Sequence, residues 1–134
     1  MDPVIHLEMP ADDSERVRQF YEKAFGWQTT PLGPDMGDFV VAFTTATDQE
    51  TRIPRKRGAI NGGFYPRTEP KETVRITILV EDLHAAITKV EGAGGTILSK
   101  PFELSGVGLF ATFADTEGNI VQINQDFTVK QLPD

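Results

Sequence analysis

Residues 4–27 read VIHLEMPADDSERVRQFYEKAFGW. The opening residues alternate. Ile5, Leu7 and Met9 fall on one face and Val4, His6 and Glu8 on the other, as the two-residue period of a strand requires. Pro10 closes the strand. Asp12, Asp13, Ser14 and Glu15 supply short cap side chains and first-turn acids, the marks of a helix start. Val17, Phe20, Tyr21 and Ala24 follow at i, i+3, i+4 and i+7, one apolar stripe, and Gly26 stops the helix. Residues 73–97, TVRITILVEDLHAAITKVEGAGGTI, repeat the plan. A shift of 69 positions lays His6 on Arg75, Asp13 on Asp82, Ala24 on Ala93 and Gly26 on Gly95. Few identities survive, so pattern carries the repeat, and internal duplication constrains a whole fold.

Between the copies, 27–32 and 38–45 read as strands separated by Gly33-Pro34-Asp35. Residues 59–65 form another strand, whose Gly62-Gly63 pair marks a bulge or a close approach of backbone. PRTEPKE, 66–72, links the copies. In the second copy Val74, Ile76, Ile78 and Val80 share a strand face, with Arg75, Thr77 and Leu79 opposite. Leu83, Ala86, Ile87 and Val90 form the stripe of a helix that starts at Asp82. Strands at 96–99, 107–114 and 119–124 follow, with a loop at 101–106, a tight turn at 115–118 and a polar tail at the end. The order is βαβββ, twice, with modules of about 1–66 and 72–125 in a single α+β domain, 1–134.

Composition sets the outer bounds. At 39% hydrophobic and 25% charged, 134 residues make one globular domain rather than a disordered chain. A net charge of −7 opposes binding to nucleic acid or anionic membrane, because phosphate binding needs a basic face. The absence of Cys excludes disulfides and thiolate chemistry and is compatible with a reducing cytosol. The N-terminus lacks the pattern of a signal peptide, and no apolar run approaches the ~20 residues of a membrane span; a cytoplasmic location is expected. Residues 48–57 carry Arg52, Arg55, Lys56 and Arg57, open to a nucleic-acid reading, but the acidic balance elsewhere favours a solvated hairpin loop.

One face of each opening strand is apolar and suits its own helix. The remaining faces carry His6, Glu8, Arg75 and Thr77, and Gln122 and Asn124 share a face of the last strand. Two curved sheets would bury these faces against each other or against a ligand, and polar groups on such faces resemble the lining of a ligand cleft. Phe43, Phe64, Phe102 and Phe110 are either core residues or contacts for a flat apolar ligand. No serine lies in a nucleophile elbow, and Gly106-Val107-Gly108 precedes a strand, unlike a dinucleotide fingerprint. His84, near the second helix start, is expected in solvent.

IHLEMPADD followed by FYEKAFGW, then AINGGFYP, VEDL with VEGAGG, and FADTEGN, span nearly the whole chain. Together they resemble the vicinal oxygen chelate superfamily of glyoxalase I, bleomycin-resistance proteins and extradiol dioxygenases, and most closely its small single-domain glyoxalase-like bacterial members. The resemblance implies two βαβββ modules around a cleft and a homodimer. It implies metal ligands at His6, at or beside Gly62, at Arg75 and at Gln122. Glycine has no donor, Arg75 is a permanent cation and Gln122 a neutral oxygen donor, so one good donor remains. Glu8 lies on the face of His6 and could supply a carboxylate, or pair with Arg75.

Three readings follow. The first is a metal-free binding protein of the bleomycin-resistance kind. It would hold a small apolar or aromatic molecule among His6, Glu8, Phe43, Phe64, Arg75, Thr77, Phe110, Gln122 and Asn124. The second is an enzyme related to lactoylglutathione lyase or a dioxygenase, using Zn, Ni, Mn or Fe on His6, Glu8 and Gln122. The third is a scaffold with a side-chain-filled cleft. No catalytic residue is assigned.

Overall fold

A computed structural model describes residues 1–128 of the chain. From residue 129 onward the expected polar tail lies outside the described residues. The described residues form nine strands and two α-helices, the α+β organisation expected. They divide into two compact units, His6–Val74 and Met1–Ile5 with the chain from Arg75 on.

The first unit holds β1 (Val4–Ala11, whose first two residues belong to the other unit), α1 (Ser14–Phe25), β2 (Gln28–Pro31), β3 (Val40–Phe43) and β4 (Asn61–Pro66). Asp13 caps α1, its carboxylate accepting from the Arg16 N–H at 2.9 Å. Gly26 ends the helix at φ +73, the left-handed conformation a side chain disfavours. The strands run β2-β3-β4-β1, with β1 parallel to β4 and the other pairs antiparallel. The strand expected to close at Pro10 continues to Ala11, whose carbonyl accepts from the Arg67 N–H. Val40, Ala42 and Phe64 form the core, packed by Met9, Ala11, Val17, Tyr21 and Trp27. No residue of α1 is fully buried, and Phe20 and Phe25 stay exposed.

The second unit holds β5 (Arg75–Leu79), α2 (Leu83–Gly92), β6 (Thr96–Ile97), β7 (Phe102–Leu104), β8 (Gly108–Ala114) and β9 (Ile120–Asp126). Asp82 caps α2 through the Ala85 N–H, as Asp13 caps α1. β5 is parallel to β9, β9 antiparallel to β8, and β8 also pairs β6 and β7. The core joins Val80, Leu83, Ala111, Phe113, Val121 and Ile123 to Ile76, Ile78, Ile87 and Val90. β7 replaces part of the loop expected at 101–106: three residues are too short for a period to show, and pairing with β8 makes the strand. Among the described residues no helix is long and apolar enough to cross a membrane.

Candidate functional site

In the first unit, Met9 and Ala11 of β1 pack toward α1, so His6 and Glu8 take the opposite face by the alternation of the strand. Glu8 is 5% exposed. Parallel register sets His6 beside Asn61 and Glu8 beside Gly63. The amide of Asn61 is buried and occupied: its Oδ1 accepts from the Thr44 N–H at 2.9 Å and its Nδ2 donates to Thr47 Oγ1 at 2.7 Å. A Cβ at Gly63 would collide with the Phe39 ring and the Val40 carbonyl, so only glycine lets that ring lie against the strand beside Glu8. Phe43 alternates with the core residues Val40 and Ala42 and therefore shares the face opposite α1.

One expectation is corrected here. Phe64, expected at the ligand, is a core residue on the helix side, 1% exposed, with ring centroids 5.5 Å from Tyr21 and 6.5 Å from Trp27. The face of His6 receives Asn61 and Gly63 instead, because side chains alternate along β4. Parallel register also narrows the position that the resemblance put at or beside Gly62: the residue facing His6 is its neighbour Asn61. Alternation counted from the Phe64 core contact would have found it.

In the second unit Ile76 and Ile78 pack toward α2, and Arg75, Thr77 and Leu79 take the other face. Register aligns Thr77 with Gln122 and Gln122 with Thr112 across three strands. The next row is Leu79, Asn124, Phe110 and Phe102. Phe102 and Phe110 stack with centroids 5.6 Å apart, and Phe102 is 45% exposed. Asn124 is buried, its Nδ2 donating to the Leu109 carbonyl at 3.2 Å. Gln122 is also buried. Thr77 is fully buried, and its hydroxyl has no hydrogen-bond partner among the described residues. The structure thus brings Thr77, Phe110, Gln122 and Asn124 together on one face, at whose edge Arg75 opens β5. Sequence reading named Phe102 as a core residue or ligand contact but placed it in a loop, because β7 was not visible as a strand. His84 is exposed, as expected.

The donor set fits a divalent metal poorly. In the first unit His6 offers one nitrogen and Glu8 a carboxylate two residues along the strand, while the Asn61 amide is already engaged; in the second, Arg75 is cationic and Gln122 neutral. Among the described residues no three His, Cys, Asp or Glu side chains come together as a metal site. A cavity of about 310 Å³ opens elsewhere, at the start of α1, among Ala11, Asp12, Pro31, Asp38 and Tyr65; of the expected ligand residues it takes in Phe64 alone.

A family model described as a glyoxalase-like domain matches residues 5–124. A glyoxylase-like domain-containing protein of Didymella fabae is 35% identical over 118 residues, covering 84% of this chain and 85% of that protein. A glyoxalase/bleomycin resistance protein/dioxygenase superfamily member from Vibrio splendidus 12B01 superimposes with a TM-score of 0.60 at 15% identity, over 94% of this chain and 100% of that one. Methylmalonyl-CoA epimerase, solved with methylmalonyl-CoA and NH4+, gives 0.71 at 15% identity, over 98% and 99%. At such identities the likeness to solved structures is one of fold.

Proposed function

Since this chain belongs to the glyoxalase-like domain family, we propose that it binds a small apolar or aromatic molecule without a divalent metal, in the manner of a bleomycin-resistance protein. The observation that carries this reading is the face of β5, β9, β8 and β7. A stacked aromatic pair, part exposed, adjoins three buried polar side chains, one of them an unpartnered hydroxyl. Apolar contact area with a few fixed polar groups is what orients a small ligand. Phe102 and Phe110 would meet a ring, and Gln122 and Asn124 would select its polar edge. The donor set described above supports the metal-free part of the reading. The family resemblance supports a homodimer, the lack of Cys is compatible with the cytoplasm, and the net charge supports the exclusion of nucleic acid and membrane as partners.

A thermal-shift screen of aromatic and apolar small molecules tests it. A true ligand raises the melting temperature by mass action, and the rise shrinks in Phe110→Ala and Gln122→Ala. A hit whose shift is unchanged in both variants places binding elsewhere. Metal analysis of protein purified without chelator is the companion measurement. Stoichiometric Zn, Ni, Mn or Fe that disappears in His6→Ala would replace this reading with that of a metal-dependent enzyme.

A further inference from the structure

Residues 48–57, expected as a solvated hairpin loop, form an exposed loop between β3 and β4 that is held by hydrogen bonds. A bridge joins Thr47 and Pro54. The Asp48 N–H donates to the Ile53 carbonyl, and the Arg52 and Arg55 N–H groups to the carbonyls of Asp48 and Ala46. The Asp48 carboxylate accepts from the N–H groups of Thr51 and Glu50, which hold it below the usual carboxylate range. Arg52 is left-handed at φ +60, unusual for a residue with a side chain. The base of the loop is clamped by the buried Asn61 amide, which holds Thr44 and Thr47, while the Thr44 hydroxyl donates to the Ile60 carbonyl. Through that register the loop emerges at the end of the strands where His6 lies.

Charge on this loop runs against the rest of the chain. Four bases and two acids make 48–57 net +2, which leaves −9 elsewhere in a chain whose total is −7. All four cations are exposed. Arg55 pairs with Asp48 at 3.6 Å, while Arg52, Lys56 and Arg57 form no ion pair among the described residues. We propose that this loop is a binding site for a phosphate-bearing anion of the pyrophosphate class, with Arg52, Lys56 and Arg57 as its charge partners. One carboxylate is matched by a single arginine fork; three cations, two of them arginines, suit a multiply charged anion. A loop that only needs solvating requires neither the bridge nor a buried amide at its base. The acidic remainder of the surface repels such an anion and leaves this loop as its approach. The small-molecule reading above does not depend on this site and would survive its failure.

Calorimetric titration of the full chain with inorganic pyrophosphate, at low and high salt, is the test. Binding is expected, weaker at high salt, and at least about tenfold weaker in the triple variant Arg52→Ala, Lys56→Ala, Arg57→Ala. The control triple Lys71→Ala, Lys89→Ala, Lys100→Ala removes three exposed cations elsewhere and should retain the original affinity. Single Arg57→Glu gives the same direction if the triple variant folds poorly. Absence of binding, or equal weakening in both triples, overturns the proposal. Duplex DNA binding more tightly than pyrophosphate would overturn it in favour of a nucleic-acid surface.

Discussion

Thr77 is 0% exposed, and its hydroxyl finds no partner among the described residues. An unmade hydrogen bond on a buried donor costs about 1–3 kcal/mol. Thr77→Val removes the hydroxyl at nearly constant shape. Chemical denaturation should find the variant equal to the parent or up to about 1 kcal/mol more stable. If the hydroxyl instead serves a ligand, the same variant loses the ligand-induced rise in melting temperature. Gly62 shows the opposite situation. A Cβ there would collide with the backbone carbonyl of Leu7, which cannot rotate away as a side chain could. Gly62→Ala should therefore destabilise the fold by roughly 1–3 kcal/mol or more, the range for forced overpacking; a neutral result would mean that β1 and β4 can separate locally. The Gly62-Gly63 pair was legible in the sequence as a close approach. Its cause, a neighbouring strand on one side and the Phe39 ring on the other, was not, because both lie far away along the chain.

The helices begin alike. Asp13 and Asp82 each accept a backbone N–H three residues on, at 2.9 and 3.0 Å. Replacing either by Ala should cost about 1 kcal/mol in denaturation experiments. The β8–β9 turn depends on Asp115, whose carboxylate accepts from the Asn119 side chain and from the N–H groups of Asn119 and Glu117. These bonds favour the ionised form and hold its pKa below the ordinary value of 3.8. The sign follows: stability from a depressed carboxylate is fully present above its unfolded pKa and is lost as pH falls through the folded one. Asp115→Ala should thus destabilise at neutral pH and converge with the parent as pH falls below 3.8 and through the lowered folded-state value. A constant difference across that range would show that the turn does not depend on the charge. Capping and turn chemistry were readable because each is complete within five residues. β7 was not, since a three-residue strand exists only through its partner.

For the molecule as a whole, light scattering should give about twice the chain mass of 14.8 kDa if the homodimer reading holds; a single-chain mass would remove it. The sequence by itself determined the duplicated βαβββ plan, both helices and their caps, the α+β class and the family resemblance. The plan, the helices and the class rest on periodicity and local hydrogen bonds, which act between residues close along the chain; the resemblance rests on the motifs from IHLEMPADD to FADTEGN. It also placed His6 with Glu8, and Thr77 with Arg75, since strand alternation needs no partner. Only the tertiary structure decided the register between strands. A one-residue shift in register or parity moves a side chain from core to surface, and so Phe64 lies under α1, Asn61 faces His6 and Phe102 stacks on Phe110. The order of the basic loop was equally out of reach, because the buried amide that clamps it lies outside the loop and draws its hold from strand pairing.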